Sequence, residues 1–217
     1  MKRGWLFTTL AFASMLACAR HDSSATLPAT ERAATSKPAS DAPKEAPARA
    51  GDTVPAPSIY DLQVRLTDET GTVRSLDSFR GHPVLVTMFY AGCPSACPLL
   101  TSDLKRIERL IPEPMRSNVR VLMVSFDAER DTPAILARLK KERGMDRTRW
   151  TLASAVDDQA RELAGVLGIR YRKLDNGEFF HSSVIVLLDA RGRPQARLDG
   201  IGSDPTAILA ALNAHST

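Results

Sequence analysis

The stretch Val84-Leu85-Val86-Thr87-Met88-Phe89-Tyr90-Ala91-Gly92-Cys93-Pro94-Ser95-Ala96-Cys97-Pro98 passes from a near-continuous apolar run, through a loop with two cysteines, into a helical pattern. Seven β-prone residues, apolar except at Thr87, predict a buried central strand. Leu100, Leu104, Ile107, Leu110 and Ile111 recur at helical spacing, and Pro112 and Pro114 mark the stop. The cysteines therefore lie between the carboxyl end of a strand and the amino end of a helix, where α/β sheets place their sites. A spacing of four is expected to put both sulfurs on one face of a helical turn. A helix N-terminus favours negative charge, so thiolates are expected there.

On either side the pattern is that of one α/β domain over residues 58–217. Leu62, Val64 and Leu66 alternate with polar residues and predict a strand. Asp68-Glu69-Thr70-Gly71 is a turn, and residues 72–76 its hairpin partner. Residues 119–126 and 184–188 read as further buried strands, residues 150–153 as another, and 195–198 as a last one. Thr132-Pro133 is an N-cap with proline at the first helical position. Residues 157–167 form a helix closed by Gly168, and 205–212 a final helix. Strands alternating with helices, with a hairpin in front and another at the back, give a mixed central sheet. This is the element order of a thioredoxin-like fold with an added N-terminal β-hairpin.

The first 57 residues have another character. Lys2 and Arg3 precede an apolar stretch over residues 5–16, which is too short to span a bilayer and fits a signal-peptide core over residues 1–17. Met15-Leu16-Ala17-Cys18 resembles a bacterial lipobox, so Cys18 is the expected lipidation site. That places the domain outside the cytoplasm, facing the periplasm on a lipid anchor, and a triacylated cysteine anchors stably. Residues 18–57 carry Pro28, Pro38, Pro43, Pro47, Pro55 and Pro57 with many alanines and almost no large apolar residue. Such a segment cannot offset its ordering entropy by burial, and it reads as a tether of roughly 35 Å mean reach. The formal charge of +4 includes Lys2 and Arg3. With no basic block elsewhere, nucleic acid is excluded as a partner.

Cys93 and Cys97 are the only cysteines besides Cys18. In an exported chain they read as a disulfide, a redox pair or a metal site. A structural disulfide closing so short a loop would constrain the unfolded chain little. Soft thiolates select Cu(I), whereas structural zinc wants four ligands. Of the four histidines, His21 is in the tether, His215 in the C-terminal tail, and His82 at the opposite end of the central strand. His181, just before residues 184–188, is the one that a thioredoxin-like topology brings to the cysteines. Asp127 ends a strand at this face and reads either as an acid behind the ligands or as a loop carboxylate. Asp131, beside Thr132-Pro133, reads as helix capping. Phe89 and Tyr90 are expected to pack the strand and shield the site.

Three segments carry a family resemblance. Residues 89–98 resemble the SCO/SenC signature of aromatic residues leading into Cys-Pro-x-x-Cys-Pro. Ser125-Phe126-Asp127-Ala128-Glu129-Arg130-Asp131-Thr132-Pro133 resembles that family's second motif, and Phe180-His181-Ser182-Ser183 with Leu188-Asp189 its histidine motif. The resemblance covers residues 58–214. It implies a thioredoxin-like protein holding copper through Cys93, Cys97 and His181 and delivering it to the binuclear copper site of cytochrome c oxidase, with a membrane-bound oxidase subunit or another copper protein as partner. Ser95 and Phe180 stand where family members often carry acids, which removes negative charge near the metal. The alternative is a thiol–disulfide oxidoreductase acting on the cysteines of a copper-site partner, with Cys93–Cys97 as its redox disulfide. It needs no histidine, and the Trp-Cys-x-x-Cys and facing proline usual for such enzymes are missing here. A peroxidase of the peroxiredoxin kind expects Thr or Ser where Tyr90 stands.

Overall fold

The computed structural model describes residues 57–214. The leader, Cys18, His21, the tether up to residue 56 and His215 lie outside the described residues. The chain enters through a 3-10 turn (Ile59–Asp61) capped by Ser58. This turn, and not a strand, takes up the first apolar residues, because the Leu62 amide bonds back to Ile59. The first strand, β1 (Arg65–Asp68), therefore starts later than the alternation from Leu62 suggested and pairs with β2 (Val73–Ser75) as the expected hairpin.

The central strands are β3 (Val84–Phe89), β4 (Arg120–Ser125), β5 (Trp150–Ser154), β8 (Val184–Leu188) and β9 (Pro194–Asp199). The sheet order is β2-β1-β5-β4-β3-β8-β9. The β3, β4 and β5 strands are parallel, and every other pair is antiparallel. Every residue of β3 and β8 is buried, and so is all of β4 after Arg120. Alternate side chains point to opposite faces, so both faces of this part of the sheet are covered. The cover comes from the apolar stripes of α1 (Ala96–Leu110), α3 (Pro133–Glu142), α4 (Asp157–Val166) and α5 (Thr206–Ala214), which bury Leu100, Leu104, Ile107, Leu136, Leu163, Ile208 and Leu212. A single turn, α2 (Met115–Asn118), follows Pro114.

Two features position the site. The first is a fork. Strand β3 runs toward the cysteines and β8 runs away from His181, so as antiparallel neighbours they bring these residues to one end of the sheet. Their pairing stops at Val86↔Val186. Beyond it the Thr87 hydroxyl donates to the Val184 carbonyl at 2.6 Å, and the two chains part. The second is a separate two-stranded hairpin, β6 (Tyr171–Lys173) and β7 (Phe179–His181), which the sequence reading left unassigned. Its turn needs Gly177 at φ +80°, a backbone state that costs other residues energy.

The chain enters at the other end. Ser58 Oγ donates to the Arg191 carbonyl at 2.6 Å, and the Ile59 amide to the Gly192 carbonyl at 2.9 Å. Residues 189–193 join β8 to β9, so residue 58 is fixed at the pole away from the cysteines.

Candidate metal centre

Cys93 and Cys97 do not share a helical turn, contrary to the reading of their spacing. Helix α1 begins at Ala96, which leaves Cys93 in the loop, its amide bonded to the Tyr90 carbonyl at 3.3 Å. Ser95 occupies the N-cap position with no side-chain cap bond. The free amide at Cys97 points instead to Cys93 Sγ at 3.3 Å. The sulfur thus takes the place of a capping oxygen, and the helix end still acts on it. Both cysteines are buried free thiols.

His181, the last residue of β7, puts Nε2 at 3.8 Å from each sulfur. The three ligand atoms all lie within 4.8 Å of one another. The point equidistant from them is then about 2.5 Å or less from each, close to the 2.0–2.3 Å of typical metal–nitrogen and metal–sulfur bonds. Nδ1 stands 3.4 Å from the Ser182 carbonyl, which only accepts. Nε2 is thus the ring atom turned toward the two sulfurs. His82, by contrast, faces Asn118 at the start of β3.

The two thiols differ electrostatically. Burial opposes ionisation of Cys93, but hydrogen bonds from the His181 ring and the Cys97 and Ser95 amides outweigh it, bringing the thiol down to about 7. Burial pushes the Cys97 thiol up, and its contact with Cys93 adds to the effect. The expectation of two ready thiolates at a helix end thus holds only for Cys93 in the metal-free protein.

Aromatic rings wall the site. Tyr90 meets the His181 ring edge-on at 6.0 Å, and Phe126 lies 5.5 Å from it. Phe126 stacks on Tyr171 at 4.5 Å and packs on Phe179 at 5.0 Å. Tyr90, expected at this site, packs against the His181 ring. Phe126, Tyr171 and Phe179 were not singled out from sequence.

Behind the ligands, the two acids divide their roles otherwise than expected. Asp131 does not cap α3. Thr132 alone does so, through the Ile135 amide. The buried Asp131 carboxylate turns back to accept the Ala91 amide at 2.7 Å and the Ser125 hydroxyl at 2.5 Å, bracing the cysteine loop. Asp127 is also buried, but it pairs with Arg130 and not with a ligand. The strand-end motif Asp127-Ala128-Glu129-Arg130-Asp131 held the signal for this bracing. What it could not give was which carboxylate faces the loop.

A buried dithiol and an imidazole converging beside aromatic rings suit a thiophilic ion in three-coordinate geometry. A lowered thiol beside a buried partner also suits thiol–disulfide exchange.

The SCO1/SenC family model matches residues 55–216. The SCO2-like protein of Rickettsia prowazekii is 23% identical over 148 residues, which is 63% of this chain and 70% of that protein. Among solved structures, the SCO1/SenC family lipoprotein from Bacillus anthracis superposes with a TM-score of 0.65 at 18% identity, covering 73% of this chain and 96% of that one. Arabidopsis thaliana ScoI with copper bound gives 0.62 at 17% identity, covering 70% and 96%. At such identities the structural likeness is one of fold, thioredoxin-like with a mixed sheet. The family match spans most of the chain and includes the cysteine loop, the 127–131 segment and His181, and on it this chain belongs to the SCO1/SenC family.

Proposed function

We propose that the domain binds one copper ion through Cys93, Cys97 and His181 and passes it to the copper site of a respiratory oxidase. The observation that carries the reading is the convergence of His181 Nε2 on both sulfurs at 3.8 Å. That a relative of the same fold carries copper supports the choice of ion. Cu(I) is the state the dithiol favours. Transfer proceeds by ligand exchange: a thiolate or imidazole of the acceptor adds to the three-coordinate ion, and Cys93, Cys97 and His181 leave stepwise. Oxidation of the thiols to a disulfide removes both sulfur ligands and stops binding. Lipidation of Cys18 would hold the domain to the membrane that carries the acceptor, within reach of the tether.

The test is an anaerobic Cu(I) titration of the reduced protein beside His181→Ala. One tightly bound equivalent, weakened at least tenfold in the variant, supports the centre. Weak binding indifferent to His181 would reject it. That outcome would favour the second reading, an oxidoreductase acting on a partner's cysteines. The specific observation behind this second reading is the contrast between a lowered Cys93 and a raised, buried Cys97, as suits an attacking and a resolving thiol.

A further inference from the structure

The two halves of the metal centre hang on different elements. Cys93 and Cys97 belong to the β3–α1 loop, anchored in the central sheet. His181 belongs to the β6–β7 hairpin, whose strands pair only with each other among the described residues. No ladder bond therefore fixes the distance from imidazole to sulfurs, although ligation depends on it.

One short segment, residues 127–131, touches both halves. Toward the cysteines, the Asp131 carboxylate accepts the Ala91 amide, two residues before Cys93. Toward the hairpin, Arg130 Nη2 donates to the Gly177 carbonyl at 2.7 Å, in the turn between β6 and β7. The same guanidinium lies over the Phe179 ring, 5.6 Å from its centroid, two residues before His181. Its Nε is held by the Asp127 carboxylate. Glu129 adds an exposed pair with Lys173 at 3.3 Å. The segment is itself fixed, since the Arg130 and Asp131 amides both bond to the Asp127 carbonyl, at 3.1 and 2.9 Å, and the Asp127 amide to Ser125 Oγ at 3.0 Å.

We propose that residues 127–131 are a brace that sets the separation between the two thiols and the imidazole, with Arg130 the positioning residue for His181. Arg130 acts on His181 through Gly177 and Phe179. Its side chain is 50% exposed, but the Asp127 carboxylate it pairs with is 3% exposed, so Arg130→Ala also leaves a buried carboxylate without its partner, whereas Arg130→Lys keeps a cation beside it. The role of Arg130 in the brace is to decide whether the hairpin is docked. The brace rests on the copper reading only for its purpose, since the docking itself is independent of metal.

The experiment uses the full chain, reduced, as wild type, Arg130→Ala, Arg130→Lys, His181→Ala and the Arg130→Ala/His181→Ala double variant. In the metal-free protein, amide hydrogen exchange in the hairpin, at Leu174, Gly177 and Ser182, rises about tenfold or more in Arg130→Ala. Exchange in the β3–β8 ladder does not change. Cu(I) affinity falls by about 10–100-fold, the usual cost of losing a group that orients a ligand. Arg130→Lys, which keeps a donor but loses the fork, falls between. In the His181→Ala background, Arg130→Ala has no further effect on affinity, because the ligand it positions is gone. Unchanged hairpin exchange, or an equal affinity loss in both backgrounds, would overturn the brace. If the wild type binds no copper tightly, the copper reading falls, and hairpin exchange alone decides for or against the brace.

Discussion

Cys93 and Cys97 are four residues apart but meet different surroundings. Cys93 accepts hydrogen bonds from a histidine ring and from amides at a helix start, and Cys97 is enclosed by the core. The thiolate is the attacking form. In the metal-free reduced protein, alkylation of Cys93 therefore speeds up as pH rises and reaches half its plateau near pH 7. Cys97 stays unlabelled until the protein unfolds. His181→Ala removes one of the hydrogen bonds that lower Cys93, so its midpoint moves to higher pH. A pH–rate profile with mass-spectrometric mapping checks all three outcomes. Equal labelling of the two cysteines would reject the asymmetry.

At the scale of elements, the strands and long helices were legible because each carries its own signal. Strand β3 is apolar throughout, α1 repeats its leucines at helical spacing, and Thr132-Pro133 announces α3. The β6–β7 hairpin was not legible. Each strand has three residues, and none of the six is buried, so there is neither length nor alternation to read. Ring stacking on Phe126 and the grip of Arg130 hold it, and both come from residues more than 40 positions away. Likewise, the meeting of Cys93, Cys97 and His181 was legible from residue type and topology, while the place of Cys93 outside α1 depended on where the helix begins. Far from the site, α1 is tied to β5 where the Trp150 indole donates to Glu108 at 2.9 Å, with Arg149 on the same carboxylate. Trp150→Phe leaves one Glu108 oxygen without its buried donor and is expected to cost about 1–3 kcal/mol. Urea unfolding measures that loss. Cu(I) affinity stays within twofold of wild type, because Trp150 begins β5 at the end of the sheet away from the cysteines.

For the whole molecule, copper binding and folding are linked. The proposed ligands are residues 93, 97 and 181, which the fold brings together, so an ion bound there stabilises the folded domain by mass action. With free Cu(I) at about a thousand times the dissociation constant, the gain is about 4 kcal/mol. The reduced wild type is expected to melt several degrees higher with Cu(I), and the disulfide form to show no shift. Anaerobic calorimetry separates the two. An equal shift in the oxidised protein would show that the ion sits elsewhere.

The fixing of Ser58 and Ile59 to the β8–β9 turn has a mechanical consequence. Tension applied through residue 57 is received at the β8–β9 turn, a full sheet length from the metal. With the proposed tether attached there, the domain would hang like a pendulum bob whose outermost point is the end that carries Cys93 and Cys97. The proposed search for an acceptor would then put no pull on the cysteine loop.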